Sequence, residues 1–334
     1  MRITFEELHL TLKRILLKVG FKAKSAELCA RLFAETTCDG VYTHGINRFP
    51  RFLKMIENGS IDIHAEPELV SAFGSLERWN GNGGVGNLNA FESMQRAISL
   101  AEKNGIGYVA LNNTNHWMRG GTYGWQAASQ GLIGLCWTNT LPNLPPWGAI
   151  ENRLGNNPLV IAVPRQTGHI VLDMAISQFS YGSLDSYKKR GEQLPVHGGF
   201  DSKGNLTQNP AEIENSGRVL PIGYWKGSGL ALVLDMIAAM LSGGLATHQI
   251  SENPEFETGI SQTFIAINLP ALDQNNFAEN LANQIIGQLQ LPTQNGQQIR
   301  YPGQKTLQTR KENMEKGIPV EREIWETINS IIKS

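Results

Sequence analysis

An alternation of apolar runs with polar loops through the middle of the chain, without any internal sequence repeat, restricts its fold more than any other feature. Gly107-Tyr-Val-Ala-Leu111 is a short apolar run suited to a pleated strand, followed by a polar loop, Asn112–Arg119, and a helical pattern to about Gln130. Leu132-Ile-Gly-Leu-Cys-Trp137 is apolar again and breaks into the polar Thr138-Asn139-Thr140. Strand, polar loop, helix, strand, polar loop predicts α/β architecture, in which ligands collect at strand ends. Further strands are expected at Leu159–Val163, Ile170–Met174 and Thr263–Leu269, and a long buried helix at Gly229–Leu241.

The first sixty residues read differently, as helices. Thr4 with Glu7 three residues on forms a capping pattern, and Phe5, Leu8, Leu12, Ile15 and Leu16 recur at helical spacing until Gly20. Helical character continues over Ser25–Thr37, and a third helix is expected from near Pro50 to Asn58-Gly59, with another over Asn87–Lys103 and a last one over Glu321–Ile332. At about 100–200 residues per domain, 334 residues make two domains or one large one with an appendage. The expected division is a helical segment over 1–75, an α/β core over 76–270 and C-terminal helices over 271–334.

Charge and cysteine content narrow the function classes. With 29 Lys+Arg against 30 Asp+Glu, the formal charge is −1, without the basic surplus that nucleic acid binding requires. Cys29, Cys38 and Cys136 are odd in number and far apart, and no H-x-x-x-H or H-E-x-x-H occurs, so neither a disulfide framework nor a zinc site is expected. Acids stand near the N-terminus where a signal peptide would be apolar. The most apolar stretch, Leu230–Leu241, carries Asp235 and falls short of the ~20 residues that span a bilayer. A cytoplasmic chain is expected.

Four stretches carry groups capable of chemistry. Thr43-His44-Gly45-Ile46-Asn47-Arg48 places an imidazole and a guanidinium four residues apart; alone, it reads either as a site or as a helix cap beside a surface charge. Asn115-His116-Trp117-Met118-Arg119 follows a strand and ends in a glycine pair, a place where loops carry sites, though it also reads as a simple turn. His169-Ile170-Val171-Leu172-Asp173-Met174-Ala175 is strand-like with an acid suited to ribose hydroxyls. Trp225-Lys226-Gly227-Ser228-Gly229 opens the long apolar helix with groups suited to a phosphate. Gly81-Asn-Gly83-Gly-Val-Gly86 fits the G-x-G-x-x-G pattern, but the run before it, Ala72–Trp79, makes a poor buried parallel strand, and the stretch is read as a turn before a helix.

Taken together, Gly40-Val-Tyr-Thr-His44-Gly-Ile-Asn-Arg48-Phe-Pro-Arg51, Asn115–Gly121, Pro145-Pro-Trp-Gly148, Gly155-Asn-Asn-Pro158, Phe179-Ser-Tyr-Gly182 and Gly223–Gly229 resemble the malate/L-lactate dehydrogenase family, distinct from the Rossmann dehydrogenases. Within it the pattern is nearest the 2,3-diketo-L-gulonate reductase branch, and the similarity runs from about Phe5 to Trp325. The resemblance implies a mixed-sheet NAD-binding fold of the sulfolactate dehydrogenase-like type with a helical N-terminal segment, in a cytoplasmic homodimer. It implies His44 as proton donor, and His169–Ala175, Trp225, Lys226 and the segment Gly303-Gln304-Lys305 at NAD(H) or NADP(H). Relatives commonly carry glutamate where this chain has Gln304, which bears on the choice of dinucleotide. The mechanism expected from it is reduction of a 2-keto sugar acid, with His116 as polariser or alternate donor, Arg48 on the substrate carboxylate, and Asn115 and Thr140 as orienting groups. Three other readings stay open: the same chemistry on malate, lactate or ureidoglycolate, a sugar-acid-binding protein without catalysis, and a metal-dependent lyase using both histidines.

Overall fold

The structure, a computed structural model, describes residues 1–273 and 275–333. After a two-residue strand β1 (Arg2–Ile3), helix α1 (Phe5–Val19) starts where Thr4 Oγ1 accepts the Glu7 N–H at 3.0 Å and stops at Gly20, which takes φ 108°. Its apolar face, Leu8, Leu12, Ile15 and Leu16, is fully buried against α2 (Ala23–Cys38) and α3 (Phe49–Glu57), the latter with Pro50 in its first turn.

The central sheet is built from β2 (Glu68–Phe73), β3 (Leu76–Asn80), β4 (Ile106–Asn115), β5 (Ile133–Thr138), β6 (Leu159–Val163) and β7 (Ile170–Met174), with α4 (Gly86–Asn104) and α5 (Gly121–Ser129) as connections. A subsidiary layer follows: α6 (Tyr181–Lys189), the small hairpin β8 (Gly199–Phe200) and β9 (Leu206–Thr207), α7 (Pro210–Ser216) and α8 (Trp225–Ser242). The chain returns through β10 (Thr258–Ile267), then α9 (Phe277–Leu289), α10 (Gln304–Lys316), β11 (Ile318–Pro319) and α11 (Arg322–Lys333). The seven strands run in the order β2-β3-β4-β10-β5-β6-β7, and only β3 and β4 pair in parallel, so the sheet is mixed and not doubly wound in the Rossmann manner.

Alternation along the strands fixes the two faces. Val109 and Leu111 of β4 join Phe264 and Ala266 of β10 beneath α4 and α5, whereas Tyr108 and Ile265 turn to the opposite face under α8. The N-terminal helices form a separate core that Ile318, Val320, Trp325 and Ile328 complete, with β11 antiparallel to β1.

Three local expectations are corrected. Asn112–Asn115 is strand, not loop: Asn112 Nδ2 donates to Ser242 O at 2.6 Å and Thr114 Oγ1 accepts from Asn89 Nδ2 at 3.0 Å, so these polar side chains have partners within the sheet layers. Leu76–Asn80 does run parallel to β4; it looked unlike a strand because Glu77 faces inward, where Arg96 binds it at 2.6 and 2.9 Å. Helix α8 is longer than expected and only one side of it is buried. By length and apolar composition it matches a membrane span, but its Asp235 is buried on the sheet, accepting from Asn139 Nδ2 at 2.8 Å and from the Thr247 N–H at 3.0 Å.

Candidate active site

A cleft of about 1110 Å³ opens where the N-terminal helices meet the sheet. His44 reaches it from a single 3₁₀ turn, Tyr42–His44, after α2. Two glycines shape that approach. Gly40 takes φ 81°, and a Cβ at Gly45 would lie 2.4 Å from Thr37 Oγ1, the oxygen that accepts the Ile46 N–H at 2.9 Å. The next turn, Ile46–Arg48, brings Arg48 into the same cleft.

His116 enters from just beyond the end of β4 and stacks on His44 with ring centroids 5.8 Å apart and planes 18° from parallel. Its Nδ1 accepts the backbone N–H of Met118 at 3.0 Å, across a turn in which Met118 takes φ 64°. A backbone N–H can only donate, so the proton of the neutral ring sits on Nε2. His44 Nδ1 instead lies 3.2 Å from Thr43 Oγ1, a hydroxyl able to donate or accept. Burial, then the nearby Arg48 and Arg119, depress the His44 imidazole to about 4. Burial, then Arg48 and His44, push His116 well below its ordinary value. Arg48 is itself pushed down to about 10 by burial and by Arg51, with Glu257 opposing.

Behind the histidines lies a buried ionic hub. Asp39, closing α2, accepts from Arg310 Nε at 2.6 Å and Nη2 at 2.7 Å and also binds Arg119 Nη1. Arg119 Nε stands 3.8 Å from Asp173, whose Oδ2 accepts the Gly121 N–H at 2.9 Å. The hub ties the turn leading to His44 to α10 and β7.

The opposite wall is β7 with the start of α10. Val171 N–H donates to Pro302 O at 3.0 Å, and Gly303, at φ 92°, packs so tightly that a Cβ there would come 3.1 Å from Val171 N and 3.3 Å from the Trp125 ring. Val171, Leu172, Asp173, Ala175 and Gly303 line the cleft, as do His44, His116, Arg48 and Thr140.

The remaining expected contacts lie off that lining. Asn115 donates to Gly83 O and Gly84 O, each at 2.8 Å, behind the cleft wall. His169 Nδ1 accepts the Arg165 N–H at 3.2 Å and its ring lies beside Trp125. Ile170 is half-buried, and Met174 packs toward α8. Gln304 Oε1 accepts from Tyr301 N at 3.2 Å and Gln290 Nε2 at 2.9 Å, while Lys305, Trp225 and Lys226 are exposed. Among the described residues no group of three His, Cys, Asp or Glu is arranged to hold a metal ion. Sequence reasoning did not single out Trp125, Arg51, Arg119 or Glu257 as site residues, yet all line the cleft. Arg51 and Arg119 lie within motifs already noted, whereas nothing around Glu257 marked it.

Comparison with known proteins gives a consistent picture. A family model described as malate/L-lactate dehydrogenase matches residues 3–329. Proteins named 2,3-diketo-L-gulonate reductase from Escherichia coli O6:K15:H31 and from Shigella flexneri are each 46% identical over 333 residues, covering 99% of this chain and 100% of the relative. Among solved structures, sulfolactate dehydrogenase from Methanocaldococcus jannaschii superposes with a TM-score of 0.92 at 27% identity, covering 100% of this chain and 97% of that one. Malate dehydrogenase from Pyrococcus horikoshii does so with a TM-score of 0.90 at 27% identity, covering 100% and 95%.

Proposed function

The chain belongs to the malate/L-lactate dehydrogenase family, an oxidoreductase dependent on a nicotinamide cofactor, and we propose that it reduces 2,3-diketo-L-gulonate to 3-dehydro-L-gulonate with NADH or NADPH. The observation that carries the reading is a stacked pair of imidazoles beside Arg48, in a cleft whose other wall is the β7–α10 cradle. That cradle suits a dinucleotide: the first turn of the 13-residue helix α10 faces the cleft, Gly303 lets that turn pack closely against β7, and Asp173 offers a carboxylate.

When bound, the reduced nicotinamide supplies a hydride to the C2 carbonyl carbon. Arg48 grips the substrate carboxylate with its planar fork. His116, holding its proton at Nε2, donates a hydrogen bond to the carbonyl oxygen, where negative charge develops. Protonating Nδ1 of that ring would set two N–H groups against each other, so His116 stays neutral. His44, whose Thr43 neighbour tolerates either state, delivers the proton to the same oxygen. In the free cleft His44 is neutral near pH 7; a carboxylate arriving at Arg48 offsets the positive field and raises its proton affinity. Thr140, with its N–H on Asn157 Oδ1 at 3.1 Å, orients the substrate from the side.

We further propose a cytoplasmic homodimer. Leu232, Val233, Met236 and Met240 leave one side of α8 between 45% and 66% exposed, which suits burial against a second copy and would bring Trp225 and Lys226, at the head of the helix, to a subunit boundary. Met236→Glu with Met240→Glu is expected to convert a dimer to monomer by light scattering. For the reaction, 2,3-diketo-L-gulonate, pyruvate and oxaloacetate with NADH and NADPH separately form the deciding panel. Oxidation of either dinucleotide fastest with diketogulonate supports the assignment; faster turnover of oxaloacetate or pyruvate replaces it with the malate or lactate chemistry of the same family.

A further inference from the structure

Beside the histidines the cleft ends in a wall that proton transfer does not use. Glu257, just before β10, is 5% exposed. It accepts the Leu141 N–H at 3.4 Å, and the charged groups facing it are Arg48 and Arg51. Thr140, Asn143 and Asn156 are braced beside it: Thr140 Oγ1 and Asn143 Nδ2 each donate to Asn156 Oδ1 at 3.2 Å, and the Asn156 N–H returns a bond to Asn143 Oδ1 at 2.8 Å. Tyr181 OH donates to Asn143 O at 3.1 Å, holding the wall from α6. Between Thr140 and Gly217, and again over Glu252–Glu257, the described lining residues supply amides, hydroxyls and two acids, but apart from Asp173 and its neighbours on β7 no other charge and no lysine or arginine. Of the cleft's cations, Arg119 is bound to Asp39 and Arg300 lies before α10, while Arg48 and Arg51 both face Glu257, so that Glu257 and a single substrate carboxylate together match those two guanidiniums.

We propose that Glu257 is a specificity-determining residue: with this neutral wall it admits a 2-keto acid bearing one carboxylate and a hydroxylated tail, and turns away dicarboxylates. Tail hydroxyls find acceptors in the carboxylate and the amides. Burial pushes the Glu257 carboxyl up while Arg48 and Arg51 favour its ionised form; a second carboxylate then meets a like charge where Glu257 and the first carboxylate already match both guanidiniums, and such repulsion discriminates more sharply than a lost contact. The proposal rests on the cleft being a 2-keto-acid reductase site, but not on diketogulonate being its substrate.

The test compares wild type with Glu257→Gln, which keeps the shape and removes the charge. The ratio of kcat/KM for oxaloacetate to that for pyruvate should rise about tenfold or more in the variant, a factor within reach of one unscreened like charge. An unchanged ratio overturns the proposal, including the case in which both rates fall together through a structural effect. Wild type inert on diketogulonate, with the ratio still shifted, would sink the substrate assignment alone. Calorimetric titration of malate and lactate onto the NADH-loaded wild type reads the same preference without turnover and without the variant. Malate binding much more weakly than lactate is expected, and equal affinities overturn the proposal.

Discussion

His44 and His116 stack within one cleft but stand on different parts of the molecule. His44 belongs to a turn raised on the N-terminal helical core, beside a hydroxyl that accommodates both of its protonation states. His116 belongs to the sheet, where the Met118 N–H occupies Nδ1 and leaves room for one state only. In the proposed mechanism two chemically identical rings thereby take separate tasks, one to exchange a proton and one to hold its own. The lesson is that the second hydrogen bond of an imidazole, more than its depressed proton affinity, decides its role.

The largest effect should come from His44→Ala, which is expected to lower kcat by about 10²–10⁴-fold while the dinucleotide affinity, read by fluorescence titration, stays within twofold. His116→Ala should lose roughly 10²-fold in kcat, as when one donor to a developing oxyanion is removed. Its pH profile should keep the wild-type shape, because the titrating group remains. A His116 variant whose pH dependence vanishes would exchange the two assignments.

Gly303→Ala sharpens the contrast from the far wall. A side chain at φ 92°, 3.1 Å from Val171 N, should raise KM for the reduced dinucleotide about tenfold with a much smaller change in kcat, since strain of about 1–3 kcal/mol at that turn acts on binding. The pH dependence has a definite sign. With His44 depressed to about 4 in the free chain, kcat/KM for reduction should fall as pH rises above that value. The kcat profile should fall at higher pH, because the bound carboxylate restores the imidazolium; coincident profiles would show that substrate leaves His44 unaffected. Thr43→Val should have the smallest effect, a modest displacement of that kcat profile without loss of fold.

Local features of the chain were legible to different depths. The helices and most strands follow from spacing alone, because Leu8, Leu12, Ile15 and Leu16 or the apolar runs of β5 and β6 each suit one periodicity. His44 and Arg48 lie only four residues apart in sequence, so the cleft they share could be suspected. Asn115 adjoins His116 in sequence, but neighbours at a strand end point to opposite sides, and its amide serves the Gly83–Gly84 turn. That turn is instructive. Gly81–Gly86 does join a strand to a helix in a parallel β3–α4–β4 unit, as a dinucleotide fingerprint should, yet a Cβ at Gly86 would strike Asn115 O at 2.3 Å. Gly84 and Gly86 answer to close approach of backbone on backbone and Gly83 to a φ of 68°, and the turn lies off the cleft lining. Glu257 and Trp125 were out of reach because only the tertiary fold brings them beside residues distant in sequence.

The pairing of β1 with β11, and the closure of α1 by Trp325 and Ile328, set an order of events during synthesis. The helices that carry His44 leave the ribosome about 270 residues before the strand and helix that seal them. A nascent chain ending anywhere before Ile318 therefore holds His44 on an unsealed platform, and that side of the cleft gains its full support only once Ile328 has emerged.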